Sequence, residues 1–212
     1  MSEALKKRNL LLGTKVVKSL EERNMEAYYV ESKEEALEKA LSLIPAGSSV
    51  SWGGSESATV IGLLDAVHKD RYTVLDRDQT TSVEERNKVI REAFSSDYYI
   101  TSSNAVSEDG ILVNMDGSAN RVAAIAYGPA NVLMIVGINK VVKTEADAVS
   151  RTRNTAAPIN AQRFPIKTPC TATGSCADCK SSDCICCQML TTRFSKIPKR
   201  IKVILVGEEL GF

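Results

Sequence analysis

All six cysteines of the chain fall between Cys170 and Cys187, in the order C-x5-C-x2-C-x4-C-x-C-C. Thiols used only for packing are spread over several apolar segments. These sit in one polar, turn-rich stretch, PCTATGSCADCKSSDCICC, which has little else to hold it together. Cys176 and Cys179 have the two-residue spacing with which two thiolates reach one tetrahedral ion, and Cys170 with one of Cys184, Cys186 or Cys187 would complete a four-thiolate set. Spacing does not separate zinc from an iron–sulfur cluster, although the run is not the bacterial ferredoxin pattern. Free thiols and a disulfide or thiol switch stand as alternatives, the switch opposed by a reducing cytosol. His68 is the only histidine, which argues against Ser–His or Cys–His catalysis.

Two other stretches could do chemistry. Gly53-Gly54-Ser55 lies between an expected strand, Ser49–Trp52, and a helix, where glycine lets a ligand approach backbone N–H groups. It fits neither G-x4-G-K-S/T nor G-x-G-x-x-G, so it reads equally as an anion site and as a tight turn capped by Ser55 or Ser57. The middle segment, NAVSEDGILVNMDGSAN, carries Asn104, Asn114, Asp116 and Asn120, followed by Arg121, among alternating apolar residues. Loops on a rigid sheet are where ligand groups concentrate. Arg121 and Lys140 could pair with a carboxylate or phosphate. The bland alternative is a hairpin whose Asn and Asp residues serve its turns at Asp109-Gly110 and Asp116-Gly117.

The elements that must position these residues alternate. Helical periodicity runs over Glu3 to about Asn24, EEALEKALSLI, Ser57–His68, SVEERNKVIREAFSS and Glu145 to about Thr155, the last leading to Pro158. Strands are expected at MEAYYVES, Ser49–Trp52, YTVLD, YYIT and the nearly continuous apolar runs VLMIVGINKVV and IKVILVGEELGF. Repeated β-α-β with two-sided strands predicts an α/β fold with an open, mostly parallel sheet. The cysteine-rich loop, 168–188, is expected just before the last strand, as an insertion in a single domain spanning 1–212, because about twenty residues build no core of their own. A formal net charge of +1 gives no global basic field for nucleic acid. No run reaches the roughly 18 apolar residues of a membrane span. With no signal peptide visible, the chain reads as cytoplasmic, where clustered thiols favour metal or redox work.

The stretches GSSVSWGGSESATVIGL, SEDGILVNMDGSANRVAAIAYGPANVLMIVGINKVV, PCTATGSCADCKSSDCICC and RIKVILVGEELGF together resemble the LUD (lactate-utilization) domain family, nearest its short, cysteine-bearing members. The resemblance implies a Rossmann-like, three-layer fold of the phosphosugar isomerase and CoA-transferase superfamily. It also implies a role in organic-acid metabolism alongside iron–sulfur partners. It selects Cys170, Cys176, Cys179 and Cys186 as ligands of zinc or an iron–sulfur cluster, leaving Cys184 and Cys187 as extras. Ser107-Glu108-Asp109-Gly110 is similar to the S-E-N-G signature of CoA-transferases, which would make Glu108 a carboxylate nucleophile. Asp109 departs from that signature.

Three functions follow as expectations. The first is binding of a small anionic metabolite beside a metal-stabilised loop. The second is an iron–sulfur accessory subunit docked on an oxidoreductase. The third is an enzyme handling CoA esters or phosphosugars through Glu108. The sequence leaves turnover open and is compatible with a homo-oligomer.

Overall fold

The computed structural model describes residues 1–69 and 71–212. In chain order the strands are β1 (Glu26–Val30), β2 (Ser49–Trp52), β3 (Thr73–Leu75), β4 (Tyr98–Thr101), β5 (Ala105–Ser107), β6 (Leu112–Asp116), β7 (Asn131–Gly137), β8 (Val141–Val142), β9 (Gln188–Thr192) and β10 (Ile201–Val206). The helices are α1 (Glu3–Glu22), α2 (Lys33–Leu43), α3 (Glu56–Val60), α4 (Leu63–Val67), α5 (Val83–Glu92), α6 (Asn120–Ala126), α7 (Glu145–Arg151), α8 (Ala157–Ala161) and α9 (Pro169–Thr173).

The six-stranded main sheet has the order β1-β10-β7-β4-β2-β3, and every neighbouring pair is parallel. Its central strands are apolar on both faces because helices cover both. Val132, Met134 and Val136 of β7 pack with Val16 and Leu20 of α1, while Leu133 and Ile135 pack with Ala36, Ala40, Leu63 and Val67 on the other side. This period-2 division is what a near-continuous hydrophobic run means in a doubly covered sheet.

A second sheet of four strands, β8-β5-β6-β9, is mixed, and its Val106 and Leu112 join the α1 side of the core. The Asp109-Gly110 turn closes the expected hairpin between β5 and β6, with Gly110 at φ +87. Five expectations change. The run VLMIVGINKVV, expected as one strand, divides into β7, a 3-10 turn over Ile138–Lys140 and β8 of the second sheet. After Asp116-Gly117 the chain enters α6 rather than another strand. The helix expected over Ser57–His68 is two short ones, broken at Gly62 with φ +76. The strand β9 lies between the cysteine run and the last strand. The helix expected to stop near Thr155 continues through Pro158 to Ala161, because a π-helical segment, Thr152–Ala156, widens the turn that receives a proline with no N–H to give.

The path from β2 to β3 runs toward one edge of the main sheet, whereas β4, β7 and β10 step successively toward the other. The chain reverses direction between β2 and β4, and open α/β sheets bind ligands outside the carboxyl ends of strands at such a reversal. Among the described residues no helix is long and apolar enough to cross a membrane.

Candidate functional site

A cleft of about 450 Å³ opens at that reversal, lined by the residues that follow β2 and β4 and by parts of α6, α8 and the chain end. The fold brings Gly54, Ser55, Asn104, Asp116, Asn120, Arg121 and Lys140 to its walls, although they are scattered over the sequence. Gly53 and Asn114 stand behind the wall. An added Cβ at Gly53 would lie 2.9 Å from Cδ of Arg121 and 2.8 Å from the Tyr99 hydroxyl, so glycine there makes room for the arginine. Ser55 spends its hydroxyl on the N–H of Ala58, which is the helix-capping half of what the sequence allowed.

Arg121 is the organising side chain. Its Nε donates to Asp116 Oδ1 (2.8 Å), Nη1 to the Ser102 carbonyl (3.1 Å) and Asn114 Oδ1 (2.8 Å), and Nη2 to Asn104 Oδ1 and the Met115 carbonyl (2.8 Å each). A guanidinium has five N–H donors, so this one has none left for a ligand. Asp116 meanwhile accepts the Val122 N–H at 2.7 Å, tying down the start of α6. The polar residues expected to bind a ligand here largely satisfy one another and set the shape of the wall.

Cations with capacity to spare come from segments that carried no motif. Arg77, in the turn after β3, lines the cleft; its buried Nε has no hydrogen-bond partner among the described residues and lies 3.8 Å from Asp78 Oδ1, too far for a hydrogen bond. Arg86 braces that turn, donating to the Arg77 carbonyl and to Asp78 at 2.9 Å each. Arg163, just past α8, lies 3.5 Å from Glu56 and over the ring of Phe212. The rule that ligands gather at carboxyl ends of strands could have pointed to Arg77; nothing in the spacing pointed to Arg163.

Lys140 forms part of the cleft floor at 3% exposure, its Nζ 3.1 Å from each of the Ser57 and Ser102 hydroxyls. Burial lowers its pKa to about 7, helped by Arg151 and Arg121 and opposed by Glu56.

Glu108 is elsewhere. It sits in the β5–β6 turn, outside the lining of the cleft, with Oε2 2.5 Å from Lys15 and 2.8 Å from Lys143. Hydrogen bonds from those two lysines hold its carboxyl below the ordinary value, Lys143 contributing most. An ion-paired, ionised carboxylate on a turn is the ordinary structural use of such a residue. His68 lies edge-on to Trp52 and 3.3 Å from Asp76, also away from the cleft lining.

All six cysteines line a second cavity, of about 250 Å³. Cys184 is central to it: its sulfur is 3.1 Å from that of Cys186, and its carbonyl accepts from the Cys187 thiol. Burial raises the Cys184 pKa, but hydrogen bonds from Cys186, Cys187 and Cys179 outweigh this and hold the thiol below its usual value. Burial and the neighbouring Cys184 push Cys186 up to about 12. Arg153, from the π segment, lines the chamber, is paired with Asp178 and reaches Cys176. The donor chemistry suits a soft cation, and Arg153 would offset the charge of several thiolates. Among the described residues, however, no three Cys, His, Asp or Glu side chains converge as a ligand set. A metal would have to draw the loop together.

The two cavities adjoin. Met115 and Ile185 line both, and the stretch from Arg153 to Phe164 walls the chamber with its first half and the cleft with its second.

No curated protein matches the chain. A DUF162 family protein from Deinococcus radiodurans, known from its crystal structure, aligns at TM-score 0.55 and 14% identity, over 93% of this chain and 98% of that one. At that identity the likeness establishes the fold alone. Ribose 5-phosphate isomerase from Plasmodium falciparum aligns at TM-score 0.34 and 15% identity over 52% of each chain, which carries no argument. The LUD domain family matches residues 13–206, from within α1 to the end of β10, and the chain belongs to that family.

Proposed function

We propose that the protein binds a small organic anion in the cleft between the ends of β2 and β4, in the organic-acid metabolism that the LUD resemblance implies, beside a thiol chamber that holds zinc or an iron–sulfur cluster. The observation that carries the reading is the pair of guanidinium groups in the cleft: Arg77, whose buried Nε has no hydrogen-bond partner among the described residues, and Arg163 at the rim. A guanidinium pairs with a carboxylate or phosphate through two parallel hydrogen bonds, which suits a ligand with one such group. Cys170, Cys176, Cys179 and Cys186 are the ligands the resemblance selects, and Cys184 joins them on its position among the other thiols. Bound zinc would staple the loop; a cluster would also exchange single electrons.

The test is thermal stabilisation by lactate, pyruvate, phosphosugars and CoA esters. Stabilisation by the carboxylic acids, lost in Arg163→Ala, is the expected result. No shift with any of them at millimolar concentration would end the reading.

The second reading, an iron–sulfur accessory subunit of an oxidoreductase, is favoured by one observation: the thiol chamber adjoins the cleft, with Met115 and Ile185 lining both. Visible charge-transfer absorption in anaerobically purified protein supports it, and a colourless protein with stoichiometric zinc rules it out.

A further inference from the structure

We propose that Lys140 captures carbonyl compounds: its Nζ forms an imine with C2 of a 2-oxo acid whose carboxylate is held by the guanidinium groups of the cleft. The inference rests on the anion-binding reading and deepens it by naming the substrate class.

The partners of Lys140 set it apart from the other buried lysine of the molecule. Lys202 is ion-paired with Glu26 at 2.8 Å and also donates to the Lys199 carbonyl, as a charge retained for structure should be. Lys140 is more deeply buried, yet among the described residues it has no carboxylate within ion-pair distance. Its two partners are the hydroxyls of Ser57 and Ser102, themselves 3.4 Å apart. Serine hydroxyls can accept a hydrogen bond from an ammonium or donate one to a neutral amine, so they tolerate the loss of its proton. The charged groups around it are Glu56 beside Ser57, Arg121 from α6 and Arg151 from α7; burial and the two arginines outweigh the carboxylate and bring its titration to about pH 7. A neutral amine on the floor of an anion-binding cleft is an activated nucleophile.

The step balances without an oxidant. The amine lone pair attacks the carbonyl carbon, the C–O π pair moves to oxygen, and that oxygen takes a proton relayed from the amine through Ser102 or Ser57. The resulting carbinolamine loses its hydroxyl, with a proton, as water and leaves a C=N bond. Arg77 and Arg163 would hold the carboxylate while the two serines carry the protons.

The experiment traps the imine by incubating the protein with pyruvate and sodium borohydride, followed by peptide mapping. One reduced pyruvyl group per chain on Lys140 is expected, with a yield that rises from pH 6 to pH 8 and falls when lactate competes. The exposed Lys143 is expected to stay unlabelled. Lys140→Arg keeps the charge and should abolish the adduct. Mapping the unaltered protein decides the matter even if that variant folds poorly. If pyruvate and lactate both stabilise the protein and Lys140 carries no label, the inference falls while the anion-binding reading stands. Label spread evenly over surface lysines also overturns it. If neither acid stabilises the protein, the cleft reading fails and the inference goes with it.

Discussion

Arg121 and Lys140 looked alike in the sequence, as basic residues near polar loops, and the structure gives them opposite tasks. Arg121 has every N–H occupied by protein oxygens, so changing it should cost stability before it costs binding. Arg121→Lys cannot reproduce the planar fork and leaves Asn104, Asn114 and Asp116 short of partners; a loss of about 3 kcal/mol or more is expected in urea denaturation. Lys140 should instead show itself in the pH dependence of stability. Its folded pKa, about 7, lies below the unfolded value, so between those two pH values the unfolded chain binds the extra proton. Stability is therefore penalised below pH 7 and recovers as pH rises, by up to about 1.4 kcal/mol per pH unit. Lys140→Met should remove that slope, read as the difference between the two proteins at pH 7.5 and 9.5. Glu108→Gln is a contrasting case: breaking a half-exposed pair with Lys15 and Lys143 should cost about 1 kcal/mol or less and leave ligand-induced stabilisation unchanged. Loss of an acyl-CoA-dependent signal in that variant would restore the nucleophile reading.

The main-sheet strands were legible in the sequence because β7 and β10 are long apolar runs and the others are short β-rich segments, and β2 falls on the residues expected of it. The β5–β6 hairpin of the second sheet was legible as well, but the outer strands β8 and β9 and the helix α6 were not, for physical reasons. α6 starts at Ala119 in the left-handed region (φ +63), without a capping side chain of its own, and depends on long-range partners. Asp116 holds its first turn, and Arg200, at the start of β10, donates to the carbonyls of Ala124, Ile125 and Pro129 at its far end. Such tertiary caps carry no local signal. β9 is an edge strand paired only with β6, and its QMLTT sequence is too short to announce itself beside the cysteines. The same elements make the cysteine loop testable. Gly117, at the turn from β6 into α6, lies under the backbone of Ile185, and an added Cβ would stand 3.1 Å from the Ile185 Cα. Gly117→Ala should leave the main sheet intact, lower the melting temperature by a few degrees at most, and speed alkylation of Cys184 and Cys186 by displacing the loop. Unchanged thiol kinetics would show that the loop is not seated on that turn.

On the scale of the whole molecule, the cysteine run and the glycine loop are far apart in sequence and share a wall in space. That proximity could not be read from spacing, because it comes from the π segment and α8 running along both cavities and from Ile185 folding back over Gly117. A shared wall makes the two sites thermodynamically linked if filling one fixes residues that the other needs, and linkage is reciprocal. The six thiols now share one chamber without forming a ligand set, so a bound metal must reposition part of the loop, and Ile185 lies between Cys184 and Cys186. Metal loading is therefore expected to change the affinity of the cleft as well as the stability of the loop. Protein loaded with zinc should melt higher than the same protein after chelation, by the increment set by the logarithm of free metal over its dissociation constant. The pyruvate concentration giving half-maximal stabilisation should also differ between the two forms. The pair Cys176→Ser and Cys179→Ser should behave like the chelated protein and ignore added zinc. Equal melting temperatures with and without metal would leave the loop as a set of free thiols. A zinc-dependent melting temperature with one unchanged pyruvate midpoint would keep the metal site and remove the link through Met115 and Ile185.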